Sequence, residues 1–269
     1  MADYASEGGH WYEADGTPAY EVLGKNGEMR PTTLRDAKKL NLAPSVSGII
    51  KCAAAEGLEK YKRDQILLAA ASNPRGETEG VQAYMNRILE ISRQHAATAR
   101  DLGTLIHGHI EKCLKKDYSW DQAYAKHVNT TTAYLGQWCN GLANLSAEKS
   151  FGHPLGFGGK VDVHKWGFVA DFKTKDFPEP TLKTWPNQHM QLAAYREGLG
   201  MPEARCAIIY VSTGVPGLVQ LVECTEKELS KGWRLFQKLL AYWQEDKDYR
   251  PKPEKEPEDG ERERIVSVI

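Results

Sequence analysis

Apolar and polar residues alternate on both sides of Trp166-Gly167, through Gly158-Gly159-Lys160-Val161-Asp162-Val163-His164-Lys165 and then Phe168-Val169-Ala170-Asp171-Phe172-Lys173-Thr174-Lys175. A period of two predicts two half-buried strands, and the two-residue connection predicts a hairpin. Lys160, Asp162 and His164 then share one face of the first strand, with Val161 and Val163 on the other. Asp171 and Lys173 share a face of the second strand, opposed by Ala170 and Phe172. Mirrored about the turn, Asp162 faces Asp171 and Lys160 faces Lys173.

The same reading extends along the chain. Residues 1–43 form an irregular or β-hairpin lead-in, with Tyr20-Glu21-Val22-Leu23 running into the turn Gly24-Lys25-Asn26-Gly27. Pro44-Ser45-Val46-Ser47 opens a helix with a serine N-cap, and Asn73-Pro74-Arg75-Gly76 breaks it. A long helical region follows from residue 79 to 116, with a bend expected near Asp101-Leu102-Gly103. A further helix runs from 120 to 145, with Trp138 and Leu142 on its apolar stripe. Ser146 to Phe151 begins the sheet, which the hairpin continues. A helix over 184–199 precedes two strands, 204–212 and 218–224, and a capping-box sequence at Thr225-Glu226-Lys227-Glu228 starts a last helix to about residue 248. The fold class is α/β: a central mixed sheet of four or five strands flanked by helices, preceded by a helical region. The segments expected are the lead-in 1–43, a helical region 44–145 forming an arch or lid, a core 146–249, and a charged, flexible tail 250–269 ending in an apolar Ile265-Val266-Ser267-Val268-Ile269.

Composition narrows the function classes. A formal net charge of -1 on 269 residues excludes a basic nucleic-acid coat, so an anionic substrate must be held by local patches and its binding must be salt-sensitive. Five scattered cysteines without a C-x-x-C pair read as free thiols in a reducing compartment. The first residues lack the basic head and apolar core of a signal peptide, and no apolar run approaches the length of a membrane span. A cytoplasmic protein without a membrane partner is expected, in the host cytoplasm if the chain is of phage origin. Glycine-rich nucleotide loops, a G-x-S-x-G elbow and an H-E-x-x-H pair are all absent from the sequence.

The hairpin supplies the candidate chemistry. Like charges directly opposite in a sheet are destabilising, and a divalent cation between Asp162 and Asp171 removes the conflict. His107 lies on a helix with Glu111 four residues on, therefore on the same face, and with two distant carboxylates it becomes a candidate third ligand in a mixed nitrogen–oxygen site. Glycines at 103 and 108 would let another backbone approach that helix closely. Glu148 reads either as an exposed strand charge or as an acid reaching toward the metal. Gln188, Gln191 and Tyr195 share a helix side, either capping a core or holding a substrate phosphate. Lys51, Lys60, Lys62 and Arg63 read as a solvated helix face or as a means of steering a nucleic-acid backbone.

Four motifs taken in order resemble the PD-(D/E)xK nuclease superfamily and, within it, the RecB-type exonuclease branch. They are Gly103-Thr104-x-x-His107-x-x-x-Glu111, Gly159-x-x-Asp162, Asp171-Phe172-Lys173 and Gln191-x-x-x-Tyr195. The segment Pro44-Ser45-Val46-Ser47-Gly48-Ile49-Ile50 is similar to one in the mitochondrial genome-maintenance exonuclease and related phage exonucleases. The resemblance spans residues 44–212 and implies a restriction-endonuclease-like core acting as a Mg²⁺- or Mn²⁺-dependent DNA exonuclease on single strands or processed ends. His107, Asp162, Asp171 and the Phe172 carbonyl would hold the metal. Lys173 would orient the attacking water, and Gln191 and Tyr195 would position the backbone or brace the Asp171 loop. Glu111 and Glu148 would stand behind the ligands. Ser45, Ser47, Lys51, Lys62, Arg63, Trp185 and Gln188 would meet DNA, Trp185 by stacking on unpaired bases. Cys206 and Cys224 are too few and too far apart in sequence for the iron–sulfur cluster found in part of that branch, so none is expected. A recombination or single-strand-binding protein is the protein partner implied. A structure-selective endonuclease and a non-catalytic DNA-binding protein are the alternatives.

Overall fold

A computed structural model describes residues 9–53 and 56–252. The expected tail is described only to Lys252, and its apolar end lies outside the described residues. In chain order the elements are β1 (Trp11–Tyr12), β2 (Glu21–Leu23), β3 (Met29–Pro31), α1 (Leu34–Leu40), β4 (Ala43–Pro44), α2 (Val46–Ile50), α3 (Glu56–Ser72), α4 (Val81–Leu114) and, after a 3₁₀ turn at Gln122–Tyr124, α5 (Ala125–Trp138). There follow β5 (Ser146–His153), β6 (Phe157–Lys165), β7 (Phe168–Lys175), α6 (Pro186–Gly198), β8 (Arg205–Ser212), β9 (Val219–Cys224) and α7 (Glu226–Asp246). The class is α/β. A five-stranded sheet of order β5-β6-β7-β8-β9 is antiparallel throughout except where β7 runs parallel to β8. A parallel neighbour needs a crossover, which α6 provides.

Each face of the sheet is covered by its own core. Val161, Val169, Ile208 and Tyr210 pack with residues of α2, α6 and α7, including Val46, Leu192, Phe236 and Trp243. Val163, Ala170, Phe172, Ile209 and Val211 pack with Ile106 and Ile110 of α4 and Val128 and Leu135 of α5. β8 is buried along nearly its whole length, which explains its unbroken apolar run, Cys206-Ala207-Ile208-Ile209-Tyr210-Val211. Cys206 and Cys224, distant in sequence, are direct cross-strand neighbours in β8 and β9, and both are free thiols.

The chain before the sheet differs from expectation in four places. The helix expected to run from Ser45 to the break at Asn73 is two helices, α2 ending at Ile50 and α3 starting at Glu56. Residues 34–40 form a helix rather than irregular chain, started by a capping box in which Thr33 and Asp36 bond each other's backbone N–H. α4 runs unbroken through Asp101–Gly103, because Gly103 serves contact: a Cβ there would sit 2.3 Å from Thr174 Oγ1 on β7. At Gly108 a Cβ meets nothing, so that glycine admits no close neighbour. The helix expected over 120–145 stops at Trp138, where Asn140 and Gly141 take positive φ. α3 and the first half of α4 form an arm outside both cores, joined by Tyr84 Oη donating to the Ala70 carbonyl and by Arg87, which pairs with Glu79 and reaches the Pro74 carbonyl. No described helix is long and apolar enough to cross a membrane.

Candidate functional site

The hairpin forms as its alternation predicts near the turn, with Val163 opposite Ala170 and Lys165 opposite Phe168. It does not continue to Asp162 and Asp171. β6 and β7 part at that point, and Asp162 Oδ2 accepts the Phe172 N–H at 2.8 Å, so a side chain stands where a main-chain partner is missing. The carboxylates are therefore not cross-strand partners. Lys160 is not opposite Lys173 either; it pairs with Ser150 on β5 and forms an ion pair with Glu148.

Strand β6 also changes face at Asp162. Val161 belongs to the α6-side core and Val163 to the α4-side core, although two residues in a regular strand share a face. Across from it the β5–β6 ladder omits Glu148 and Asp162, and Glu148 has φ 59°, a left-handed conformation costly for a residue with a Cβ. This irregularity brings three donors together. An imidazole nitrogen of His107 and carboxylate oxygens of Glu148 and Asp162 all lie within 4.8 Å of one another. His107 Nε2 is 3.1 Å from Asp162 Oδ2, and its ring meets Phe172 edge-on. Gly103, one turn earlier on α4, sets how close that helix lies to β7.

The second half of the site is a hydrogen-bonded cluster on β7 and α6. Gln191 Nε2 donates to Asp171 Oδ1 at 2.9 Å and lies 2.8 Å from Tyr195 Oη. Lys173 Nζ is 2.7 Å from Asp171 Oδ2 and donates to Gln191 Oε1 at 3.2 Å. Gln191 thus faces both members of the Asp171–Lys173 pair, its amide fixed by that pair and by Tyr195.

Burial and neighbouring charges set the protonation states. Burial pushes the Asp171 carboxyl up to about 6, with the Asp162 charge adding to it and Lys173 opposing it. Burial also works against ionised Asp162, but the His107 hydrogen bond and charge outweigh it and hold that carboxyl below its ordinary value. For His107 and Lys173 burial again opposes charge, and the surrounding carboxylates nevertheless raise both. Lys173 therefore stays an ammonium.

Other sequence candidates fall elsewhere. Glu111 pairs with Lys115 on its own helix, and Lys62 pairs with Glu59 on α3, where Arg63 is also exposed. Ser45 is buried as the N-cap of α2, accepting from Gly48 N, and Ser47 bonds its hydroxyl. Gln188 is a correction. Rather than facing a substrate it is buried, with Oε1 accepting from Trp185 N and from Tyr210 Oη. Trp185 is exposed at the start of α6, and Lys51 is exposed at the end of α2.

Sequence reasoning missed Tyr12. Its ring lies where a Cβ on Gly158 would sit, and its hydroxyl bonds Tyr20 Oη at 2.8 Å. A Cβ on Gly159 would meet Phe151 and Tyr195. The signal was the Gly158-Gly159 pair within a strand, which marks close approach by other groups.

The donor set suits a hard divalent cation: one imidazole and converging carboxylates, with a nearby acid that burial disfavours as an anion.

No family model matches this chain, and no curated protein matches it. Among solved structures, it is similar to a "Putative exonuclease" from Eubacterium rectale, at 10% identity over 56% of this chain and 70% of that one, with a TM-score of 0.40. It is also similar to a protein named SSO0001, at 13% identity over 69% of this chain and 86% of that one, with a TM-score of 0.34.

Proposed function

We propose that the chain is a metal-dependent DNA nuclease of the PD-(D/E)xK type, RecB-like, acting as an exonuclease on single-stranded or processed ends. The observation that carries this reading is the convergence, where β6 and β7 part, of Asp162, Asp171 and Lys173 with His107 and Glu148. His107, Glu148 and Asp162 would hold Mg²⁺ or Mn²⁺, with Asp171 outside that trio but near enough to feel the charges of Asp162 and His107. A bound ion would polarise the phosphodiester and lower the pKa of a bound water, so that its deprotonated form could attack the phosphorus.

This chain's own residues do the rest. Lys173, a half-buried ammonium aimed by Asp171 and Gln191, orients the attacking water and offsets negative charge developing on the phosphate. Gln191 donates to Asp171 and accepts from Lys173, bridging the ion pair, and Tyr195 keeps Gln191 in place. Asp162 holds the middle of β7 through the Phe172 N–H, so one residue both offers a ligand oxygen and fixes the strand carrying the other two groups. The arm of α3 and the first half of α4, which leads into the part of α4 bearing His107, supports an end-threading mode over internal cutting. The setting proposed is cytoplasmic recombination, replication or repair, alongside a recombination or single-strand-binding partner.

The test is digestion of single- and double-stranded DNA labelled separately at each end, with Mg²⁺, Mn²⁺ or EDTA. Metal-dependent shortening from one end is expected, with Lys173→Ala reducing the rate by about 10³-fold. Internal cuts in circular DNA would replace the exonuclease mode with an endonuclease. DNA binding without cleavage under either metal would leave a binding protein.

A further inference from the structure

The β5–β6 register on either side of the gap, Ala147 with Val163 and Lys149 with Val161, leaves Glu148 and Asp162 facing each other. Two carboxylates directly opposite in a sheet repel. Each is answered by a different side chain of the protein. His107 Nε2 lies 3.1 Å from Asp162 Oδ2, and Lys160 forms an ion pair with Glu148. His107 is itself one of the three convergent donors. Lys160 is not, and the proposed chemistry gives it no task. Val161 packs on the α6 side, so Lys160, the residue before it in a regular stretch of β6, projects to the α4 side, where His107 stands. The Glu148 side chain is 11% exposed and that of Lys160 41%. The carboxylate is therefore held within the site, while the ammonium sits at its rim with room to move. Burial opposes the Lys160 charge, and Glu148 nevertheless raises its pKa, so Lys160 stays an ammonium.

We propose that Lys160 is a positioning residue that holds the Glu148 carboxylate ready for the ion and exchanges it for a backbone phosphate of the bound strand. This rests on the nuclease reading and gives the strand a contact beside the metal donors. Glu148 stands in a left-handed conformation opposite a like charge, a placement with two costs. Lys160 offsets the second of them and keeps the carboxylate turned into the site. An ammonium and a divalent cation seek the same charge, and the divalent ion carries twice the charge at shorter range, so Lys160 yields Glu148 to it. Lys160 is then an unpaired charge on a flexible stem at the edge of the site, and a phosphate oxygen is the partner the substrate brings. Metal and DNA become linked, because each draws away what competes with the other, and the linkage is reciprocal.

The test follows binding rather than turnover. Calorimetric titration reads Mn²⁺ affinity without DNA. Fluorescence anisotropy of a labelled oligothymidylate reads DNA affinity in a Lys173→Ala background, where cleavage is slow. Lys160→Met, Glu148→Gln and their double are compared, each confirmed folded by circular dichroism. Lys160→Met should bind Mn²⁺ on the order of threefold more tightly, because no ammonium competes for Glu148. Added to Glu148→Gln, the same change should bring a markedly smaller gain. No gain with Glu148 present, or an equal gain without it, would mean at most a general charge effect and would overturn the proposal. With Mn²⁺, Lys160→Met should weaken DNA binding by on the order of fivefold and lower the slope of log K against log salt by about 0.7. In EDTA, where Glu148 engages Lys160, it should change neither. Lys160→Arg, which keeps the charge, should retain most of the Mn²⁺-dependent DNA affinity. Equal losses with and without Mn²⁺, or no loss in either, would overturn the exchange while leaving the nuclease reading intact. No Mn²⁺ binding by the wild-type protein would overturn both.

Discussion

Strands β6 and β8 lie in the same sheet and are both rich in apolar residues, yet they behave differently. β8 keeps its period from end to end: Cys206, Ile208 and Tyr210 face one core, and Ile209 and Val211 face the other. Its ladders to β7 and β9 are continuous. β6 begins the same way with Phe157 and Val161, then turns over at Asp162; its ladder to β7 is confined to Val163–Lys165, and its ladder to β5 skips Asp162 and a left-handed Glu148. The regular strand is stabilised by burial on both sides. The irregular one collects the polar groups, because only where backbone pairing lapses can side chains enter the sheet plane and converge. Departure from regular structure marks the site, as expected where function opposes stability.

Neutralising a site carboxyl should therefore relieve the irregular region. The largest stability effect of any change at the site should come from Asp171→Asn in metal-free protein. The folded pKa of about 6 lies above the ordinary 3.8, so between those values the folded state binds more protons than the unfolded chain. Wild-type stability should therefore fall as pH rises from about 4 to above 6, on the order of 3 kcal/mol relative to the variant, which has no proton to lose there. Urea denaturation in EDTA across that range measures it. Parallel curves for the two proteins would mean that Asp171 is not held against its own ionisation.

A somewhat smaller effect should come from the spacing between helix and sheet. Gly103→Ala places a methyl 2.3 Å from Thr174 Oγ1, on the helix turn preceding His107. The overpacking should cost about 1–3 kcal/mol and should lower metal affinity by moving His107 away from Asp162. Thr174→Ala in the same chain removes the clashing oxygen and should restore both. Failure of that rescue would place the importance of Gly103 elsewhere.

How far these features were legible depends on how local their causes are. The hairpin register near Trp166-Gly167 follows from a two-residue turn and alternation, and it forms as expected. The ordered elements β5 to α7 follow from period and caps. The parting of β6 and β7 does not, because it depends on a bond between Asp162 and the Phe172 backbone and on the φ of Glu148, neither of which has a local pattern. α1 was missed because only Ala37 of its seven residues is buried, leaving no apolar stripe. Gln188 shares a helix side with Gln191, but its partner Tyr210 lies on a strand 22 residues away in sequence.

The smallest expected change is the one that separates the two strands most sharply. Glu148→Gly relieves the left-handed strain, worth about 1–2 kcal/mol, while glycine's extra backbone freedom in the unfolded chain costs about 0.5–1 kcal/mol. The ion pair lost with Lys160 is half-exposed and worth less than either. Stability should therefore stay level or rise by up to about 1 kcal/mol, even as metal affinity, read by calorimetric titration with Mn²⁺, falls. The matching truncation in the regular strand, Ile209→Ala, deletes a fully buried side chain and should destabilise by about 2–5 kcal/mol. A left-handed residue in the middle of a sheet is tolerable only if something other than folding keeps it there. Loss of stability in Glu148→Gly comparable to that in Ile209→Ala would mean that the irregularity of β5 and β6 serves the core after all.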